Sequence, residues 1–339
     1  MNASIAKPAL VAAALVLVAG CERPPINTEQ QGFRGTAMVD VSNPRIEADR
    51  AASGIDDVPQ ATPQAPAGGP KAGDVYQNVQ VLGDLSVAQF TRLMTAITQW
   101  VAPAEEGCNY CHEGANLASN GKYTKVVSRR MIQMTQHINS NWTDHVAQTG
   151  VTCYTCHRGN AVPQYIWFRD EGQEAQPYAG YRGDDAQNQP NESVAWASLP
   201  GDPFSSLIAE KGAQIRVAAT EALPGDDTGA AIQDTERTYG LMMHMSDALG
   251  ENCTYCHNSR AFANWEESSP KRVTAWHGIH MAQNLNANYL EPLRDTYPDY
   301  RLGKLGDAPK ANCMTCHQGN HKPLGGGSMV YDYPSLRGN

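Results

Sequence analysis

Four short motifs of one kind carry the chemistry of this sequence. Eight of its nine cysteines stand in Cys-x-x-Cys-His motifs, in which two thiols are followed directly by a histidine. This pattern is the attachment signature of c-type haem, because both sulfurs form thioether bonds with the porphyrin and the histidine ligates iron from one face. We predict four covalent haems, attached through Cys108, Cys111, Cys153, Cys156, Cys253, Cys256, Cys313 and Cys316 and ligated by His112, His157, His257 and His317.

Two other uses of paired cysteines fit the spacing poorly. A structural zinc site needs two such pairs, or one pair and spaced histidines, within a short loop. The first cysteines of successive motifs lie 45, 100 and 60 residues apart, and a thioredoxin-like motif would not recur four times with the same histidine. Four large apolar macrocycles would also supply a core to a chain with only 41% hydrophobic and 7% aromatic residues.

Charge and the N-terminus bear on partners and compartment. A formal net charge of −9 argues against nucleic-acid binding, which needs a cationic face, and suits a small basic partner protein. Residues 1–20 hold one lysine and an apolar run too short to span a bilayer, and VAGC at 18–21 resembles a bacterial lipoprotein box. We predict a lipoprotein signal peptide over 1–20 and a diacylglycerol on Cys21; the alternative is an uncleaved anchor helix. Both place the body of the protein outside the cytoplasmic membrane.

The rest of the chain divides into two irregular stretches and two motif-bearing halves. Residues 21–75 are rich in Pro, Gly, Ala, Asp and Gln, which predicts an extended arm, either disordered or laid as a strap along a partner. A second irregular stretch at 161–230 connects the two halves. The first half, 76–160, would carry haems 1 and 2, and the second, 231–339, would carry haems 3 and 4 and a C-terminal tail.

The two halves resemble each other in sequence. IQMTQHINSNW at 132–142 aligns without a gap with IHMAQNLNANY at 279–289, and the flanks of motifs 1 and 2 match those of motifs 3 and 4 in the same order. An internal duplication of a two-motif unit explains this. The predicted fold is mainly α with much irregular structure, a multihaem cytochrome c with two pseudo-symmetric halves, each of two helix-turn-motif units.

One stretch with helical periodicity precedes each motif. Ser86 opens the first with a capping-box pattern, and an apolar stripe follows it. The third ends at Gly250, and the fourth runs to about Leu290. The predicted starts of the second, third and fourth helices are Ser128, Asp234 and Ser269, and the stripe of the first is Val87, Phe90, Met94, Ile97 and Val101.

Methionines on these helices are candidates for the sixth iron ligand. Met94, Met131 and Met242 lie on the apolar face of the helices before motifs 1, 2 and 3. A methionine there is usually core filler, but its recurrence before three motifs favours ligation. An axial methionine also raises the potential of a haem. The alternatives on sequence grounds are Met134, Met243 and Met245.

The fourth unit breaks this pattern. Met131 aligns with Gly278, which has no side chain to offer, so haem 4 must take its ligand from elsewhere or stay open. His145 stands fourteen residues beyond Met131 on the same helical stripe, about 21 Å along a continuous helix. One helix would then ligate two neighbouring haems at its two ends. The competing histidines are His137, His244, His277, His280 and His321.

Longer segments carry a family resemblance that covers the chain from about residue 74 to its end and the N-terminus. The sequence closely resembles the tetrahaem cytochrome c subunit of purple-bacterial photosynthetic reaction centres. The segments that carry the resemblance are LMTAIT at 93–98, EGC at 106–108, SRRMIQM at 128–134, NWTDH at 141–145, VTCYTCHRG at 151–159, LMM at 241–243 and NCTYCHN at 252–258.

The resemblance implies a function and a ligand set. It implies Met94, Met131, Met242 and His145 as sixth ligands of haems 1 to 4, a haem row in the order 1, 2, 4, 3, and Arg272 as a cation that raises the potential of haem 3. It implies an electron-transfer subunit at the periplasmic face of the inner membrane. There it would re-reduce the photo-oxidised bacteriochlorophyll pair held by the membrane subunits. The electrons would come from a soluble cytochrome c or a high-potential iron-sulfur protein.

Three other functions fit the motifs less well. A periplasmic multihaem reductase would need one five-coordinate haem and mostly bis-histidine partners, whereas three helices here offer methionine. A quinol-oxidising cytochrome would carry a transmembrane helix. A free-standing electron-relay cytochrome is disfavoured only by the family resemblance.

Overall fold

The computed structural model describes residues 25–30, 38–169, 191–218 and 229–338. The predicted signal peptide, Cys21 and most of the middle of the connecting segment lie outside the described residues. In the described ranges, no helix combines the length and the apolarity needed to cross a membrane.

The structure is mainly helical with much irregular chain, as predicted for the fold class. Strands β1 (Asn27–Gln30) and β2 (Val39–Ser42) pair antiparallel. The α-helices are α1 Pro44–Ser53, α2 Ala72–Val75, α3 Val87–Val101, α4 Tyr123–Asn141, α5 Thr143–Val146, α6 Cys153–His157, α7 Phe204–Leu207, α8 Ile232–Leu249, α9 Pro270–Leu285 and α10 Cys313–His317. A π-helical turn, Asn286–Leu290, continues α9. The 3-10 turns are Gly107–Tyr110, Glu192–Val194, Cys253–Tyr255, Glu291–Thr296, Asp299–Arg301, Pro323–Gly326 and Pro334–Leu336.

Helix α3 begins as predicted. The Ser86 hydroxyl accepts from the Gln89 backbone N–H at 3.2 Å, and the Gln89 side chain accepts from the Ser86 N–H at 3.2 Å. The most buried face of the helix lies beside the predicted stripe and consists of Leu93, Ala96 and Trp100. The stripe itself is half-buried, because two of its members, Ile97 and Val101, line a cavity.

Two predicted helix starts are wrong, and two other predicted helix termini are confirmed. Helix α4 begins at Tyr123, before Ser128, whose hydroxyl donates to the Thr124 carbonyl inside the helix at 2.7 Å. Helix α8 begins at Ile232, so Asp234 lies in its first turn and accepts from the Ala231 N–H at 2.9 Å. The predicted caps hold at the other two termini, where Gly250 ends α8 with φ 69° and Ser269 caps α9.

The predicted continuous helix from Met131 to His145 is interrupted. Helix α4 ends at Asn141, and Trp142 has the non-helical angles φ −118° and ψ 34°. The Trp142 indole donates to His137 at 3.3 Å, and the short helix α5 then carries His145 in a new direction.

Within the described ranges, two hydrophobic clusters form the core. The first joins α3 and α4 to the C-terminal tail, through Leu93, Trp100, Ile132, Leu324, Tyr333 and Leu336. The second joins α8 and α9 to the connecting segment, through Trp167, Phe204, Ile208, Leu241, Met245 and Ile279. Each cluster therefore packs the two long helices of one half against a segment from elsewhere in the chain.

Candidate haem-binding site

All four motif histidines are oriented in the same way. The Nδ1 atom of each lies within hydrogen-bond distance of a backbone carbonyl, and a carbonyl can only accept. Nδ1 therefore carries the proton, and Nε2 keeps the lone pair that a metal needs. The Nδ1 to oxygen distances are 3.1 Å from His112 to Leu117, 2.8 Å from His157 to Asn160, 2.9 Å from His257 to Phe262 and 2.9 Å from His317 to Asn320.

The local structure divides the motifs into two pairs. Motifs 1 and 3 lie on 3-10 turns, and their histidines bond to the carbonyl five residues further on. Motifs 2 and 4 are the short helices α6 and α10, and their histidines bond three residues further on. Both short helices end in a left-handed residue, Arg158 at φ 48° and Gln318 at φ 50°. We call motifs 1 and 3 the outer pair and motifs 2 and 4 the inner pair.

Burial keeps the site residues neutral. It lowers the pKa of His157 and lowers that of His317 to about 4, so both imidazoles are unprotonated near neutral pH and free to ligate. It raises the pKa of the Cys153 thiol to about 11 and that of Cys313 to about 12. Both thiols are therefore protonated near neutral pH.

One large cavity brings the inner pair together. It has a volume of about 740 Å³ and extends to Tyr110 of motif 1 and to Tyr255 of motif 3. A cavity of this size suits a cofactor rather than a single ion. Its walls include every chemically active residue of motifs 2 and 4 and two predicted distal ligands: Cys153, Cys156, His157, Cys313, Cys316, His317, Met131 and His145.

His145 faces His317 across this cavity. Their ring centroids are 5.9 Å apart, with the rings at 67° to each other. Two metal–imidazole bonds of about 2 Å would place ring centroids roughly 6 Å apart on opposite sides of one ion. The His145 Nδ1–H donates to the Thr274 carbonyl at 3.0 Å, which leaves Nε2 for a metal, and burial lowers the pKa of His145. The two imidazoles are therefore spaced so that they would hold one iron ion between them.

The methionines are distributed differently. Met131 and Met134 both line the cavity, and so does Met245. Met94 and Met242 are half-buried and pack against the first and second core clusters, respectively.

The competing histidines mostly have other polar partners. His137 bonds to Asn284 at 2.9 Å and His280 to Gln283 at 3.0 Å, while His277 lies 3.9 Å from Asp144 and His321 lies 2.7 Å from Glu251. His244 is buried against Phe204, and burial lowers its pKa to about 4. Its Nε2 has no hydrogen-bond partner among the residues that the structure describes.

Arg272 lies beside motif 3. Its guanidinium stacks on Trp265 at 4.2 Å and donates to the Asn264 carbonyl at 2.8 Å. Burial lowers the pKa of His257, and the positive charge of Arg272 lowers it further. The cation is therefore close enough to act on the electrostatics of this motif.

Sequence reasoning missed the residues that join the arm to the inner pair. Asp56 accepts from Arg50 at 2.6 Å and from Asn320 at 3.0 Å. Arg50 donates to the Gln318 carbonyl at 2.7 Å, and Arg158 donates to the Ile55 carbonyl. This part of the arm is thus a strap on the loops that follow motifs 2 and 4 of its own chain. The low-complexity composition of the arm gave no signal of these contacts.

The second cysteines of the inner pair are in contact. Cys156 and Cys316 form a disulfide, with their Cα atoms 4.5 Å apart. A disulfide sulfur has no free valence for a thioether bond, so this bond and haem attachment at both cysteines exclude each other. Attachment at these two positions therefore requires the reduced thiols.

Comparisons with known proteins agree with the geometry. A family model described as the photosynthetic reaction centre cytochrome C subunit matches residues 22–337. The photosynthetic reaction center cytochrome c subunit of Rubrivivax gelatinosus is 54% identical over 325 residues, which is 96% of this chain and 87% of the relative. That of Thermochromatium tepidum is 49% identical over 330 residues, which is 97% of this chain and 80% of the relative. The chain therefore belongs to the photosynthetic reaction centre cytochrome c subunit family, whose members are electron-transfer proteins with covalently bound c-type haem and not enzymes.

Proposed function

We propose that this chain carries four haems, one on each motif, and passes electrons from a soluble periplasmic carrier to the photo-oxidised bacteriochlorophyll pair of a reaction centre. When bound, the haems supply the one-electron redox chemistry. The chain would supply ligands, orientation and exclusion of water. The observation that carries the proposal is the pairing of His145 with His317 in the cavity shared by motifs 2 and 4.

The proposed ligands combine the motif histidines with four distal residues. Met94, Met131 and Met242 serve haems 1, 2 and 3, and His145 serves haem 4. The hydrogen bonds from Nδ1 of the four motif imidazoles to backbone carbonyls support the histidine assignments, and the place of Met131 in the cavity wall supports its role at haem 2. Each of the Cys156 and Cys316 thiols would add to a vinyl group of its own haem, with sulfur bonding one carbon and the thiol hydrogen the other, and so become a thioether.

The proposed haem order is 1, 2, 4, 3. The shared cavity supports the adjacency of haems 2 and 4, and its extension to Tyr110 and Tyr255 supports a place for haems 1 and 3 at either end. Haem 3 would lie nearest the bacteriochlorophyll pair, where the charge of Arg272 raises its potential.

We further propose that the two halves, 76–160 and 231–339, are a duplicated unit. The matched hydrogen bonds within the outer pair and within the inner pair support this. The chain is anchored by lipid on Cys21 to the periplasmic face of the inner membrane. The donor is a small carrier such as a soluble cytochrome c or a high-potential iron-sulfur protein. The acidic balance of the chain favours a basic carrier.

A redox titration of the purified holoprotein, followed by optical and EPR spectroscopy, tests the ligand set. We expect four low-spin haems, three with methionine ligation and one with bis-histidine ligation. One high-spin haem, or four uniformly low potentials, would support a reductase instead. In isolated membranes, a flash should oxidise the haems, and a lack of flash-induced oxidation would contradict the proposed partner.

A further inference from the structure

Gly278, in the interior of α9, is in close contact with the imidazole of His145. A Cβ atom at Gly278 would lie 2.5 Å from His145 Cε1, 2.9 Å from Nδ1 and 3.2 Å from Nε2. The first two distances are shorter than nonbonded carbon contacts allow, so any side chain at this position would displace the ring.

Backbone conformation does not explain the glycine. Gly278 lies inside a regular helix, and its φ is not positive. Glycine destabilises a helix interior relative to alanine, so its presence needs a packing or functional reason. Contact with the His145 ring supplies such a reason.

The same helix also orients the ring. The Thr274 carbonyl, one turn before Gly278, accepts from His145 Nδ1–H at 3.0 Å. One face of α9 therefore both admits the imidazole and fixes its tautomer. Nε2 is left for the metal position that His317 shares.

We propose that Gly278 is a positioning residue that makes His145 the distal ligand of haem 4. This inference rests on the ligand set of the proposed function. In the gap-free alignment Gly278 takes the place of Met131. The same helix position therefore holds a ligand, Met131, in the first half, and leaves space for the ring of another ligand, His145, in the second. The missing side chain thereby brings a residue of the first half to a haem of the second.

The test uses the full-length holoprotein with Gly278→Ala. The control is Gly240→Ala, which also adds a methyl group to a glycine inside a helix; Gly240 is buried, Gly278 is half-buried, and the new methyl at 240 would have its nearest contact at 3.2 Å from Val194. We expect Gly278→Ala to retain four covalent haems but to lose the bis-imidazole EPR signal of one haem and to shift one of four midpoint potentials. Gly240→Ala should leave the EPR signals and all four midpoint potentials unchanged.

His145→Ala separates failure of this inference from failure of the ligand assignment. If His145→Ala perturbs one haem and Gly278→Ala perturbs none, the positioning role is wrong and the ligand assignment stands. If His145→Ala perturbs no haem, the ligand assignment itself is wrong.

The double variant His145→Ala with Gly278→Ala keeps the test decisive if Gly278→Ala does not fold. Contacting residues give non-additive effects, so the added methyl should have no further effect once the ring is removed. Folding of the double variant with the spectrum of His145→Ala would support the inference. A double variant that also fails to fold would overturn it.

Discussion

The outer and inner motif pairs have the same Cys-x-x-Cys-His pattern but lie in different surroundings. The first cysteine is exposed in both outer motifs, Cys108 and Cys253, whereas Cys153 of the inner pair is buried and Cys313 is half-buried. The inner histidines line the shared cavity, and the strap from the arm covers the loops behind them. Haem potential depends on axial ligand, burial and nearby charge, so identical motifs can hold unequal haems. On the proposed function, the exposed outer sites would exchange electrons with partners, and the inner sites would pass them within the chain.

The largest expected difference between the pairs is in stability. Cys153→Ser with Cys156→Ser should remove haem 2 from the cavity and destabilise the protein by more than about 5 kcal/mol, beyond most single core truncations. Cys108→Ser with Cys111→Ser should destabilise it by about 3 kcal/mol or less. Haem content by mass spectrometry and unfolding followed by circular dichroism measure both effects. Equal losses would remove the distinction between inner and outer sites.

A ligand exchange within the inner pair should have the next largest effect. His145→Ala with Gly278→Met would give α9 the methionine that α4 carries at Met131. Methionine ligation raises haem potentials, so one midpoint should rise by roughly 0.1 V or more, within the roughly 0.8 V that axial ligands span. Potentiometric EPR titration against His145→Ala alone measures the rise. Identical titrations would mean that α9 and α4 are not equivalent.

A smaller effect is expected at the outer pair from Arg272→Gln. Loss of the cation beside motif 3 should lower the midpoint potential of one haem by roughly 40 mV, which is about 1 kcal/mol for one electron. The control is Arg45→Gln in the arm, which should leave the titration unchanged. A shift in an inner haem, or none at all, would contradict a role at haem 3.

The smallest expected effect concerns the strap. Burial disfavours the Asp56 carboxylate, but hydrogen bonds from Arg50 and Asn320 outweigh it and lower the pKa of Asp56. Its contribution to stability is therefore present above the unfolded pKa and is lost as the pH falls through the lower folded pKa, below about pH 4. Asp56→Asn should cost about 1 kcal/mol at pH 7 and progressively less in acid.

Urea unfolding across this pH range measures the contribution of Asp56. The exposed neighbour Asp57→Asn provides the matched control and should behave like the wild type. An Asp56→Asn loss that stays constant down to pH 2 would show that the carboxylate charge does not hold the strap.

Local signals allowed much of the site to be predicted. The motifs, the Ser86 and Ser269 caps and the Gly250 end each depend on a few adjacent residues, and the structure has all of these helix boundaries as expected. The starts predicted at Ser128 and Asp234 are wrong because cap-type side chains also bond within helices. Ser128 bonds to the preceding turn, and Asp234 bonds from inside the first turn.

The remaining features depend on contacts distant in sequence. No glycine or proline beside Trp142 predicts the helix break there. The break is accompanied by the contact of the indole with His137. The meeting of motifs 2 and 4, the strap, and the fit of His145 against Gly278 join segments more than one hundred residues apart. Pattern alone could identify Gly278 as lacking a ligand, but not as making room for one.

The C-terminal tail has a consequence for the order of assembly. Leu324, Tyr333 and Leu336 complete the core that holds α3 and α4, and Arg92 of α3 donates to the Asp332 carbonyl at 2.7 Å. Helices α3 and α4 are synthesised before the second half of the chain, yet they cannot finish packing until its last residues exist. Until then the core beside motif 2, which includes Cys153, stays incomplete.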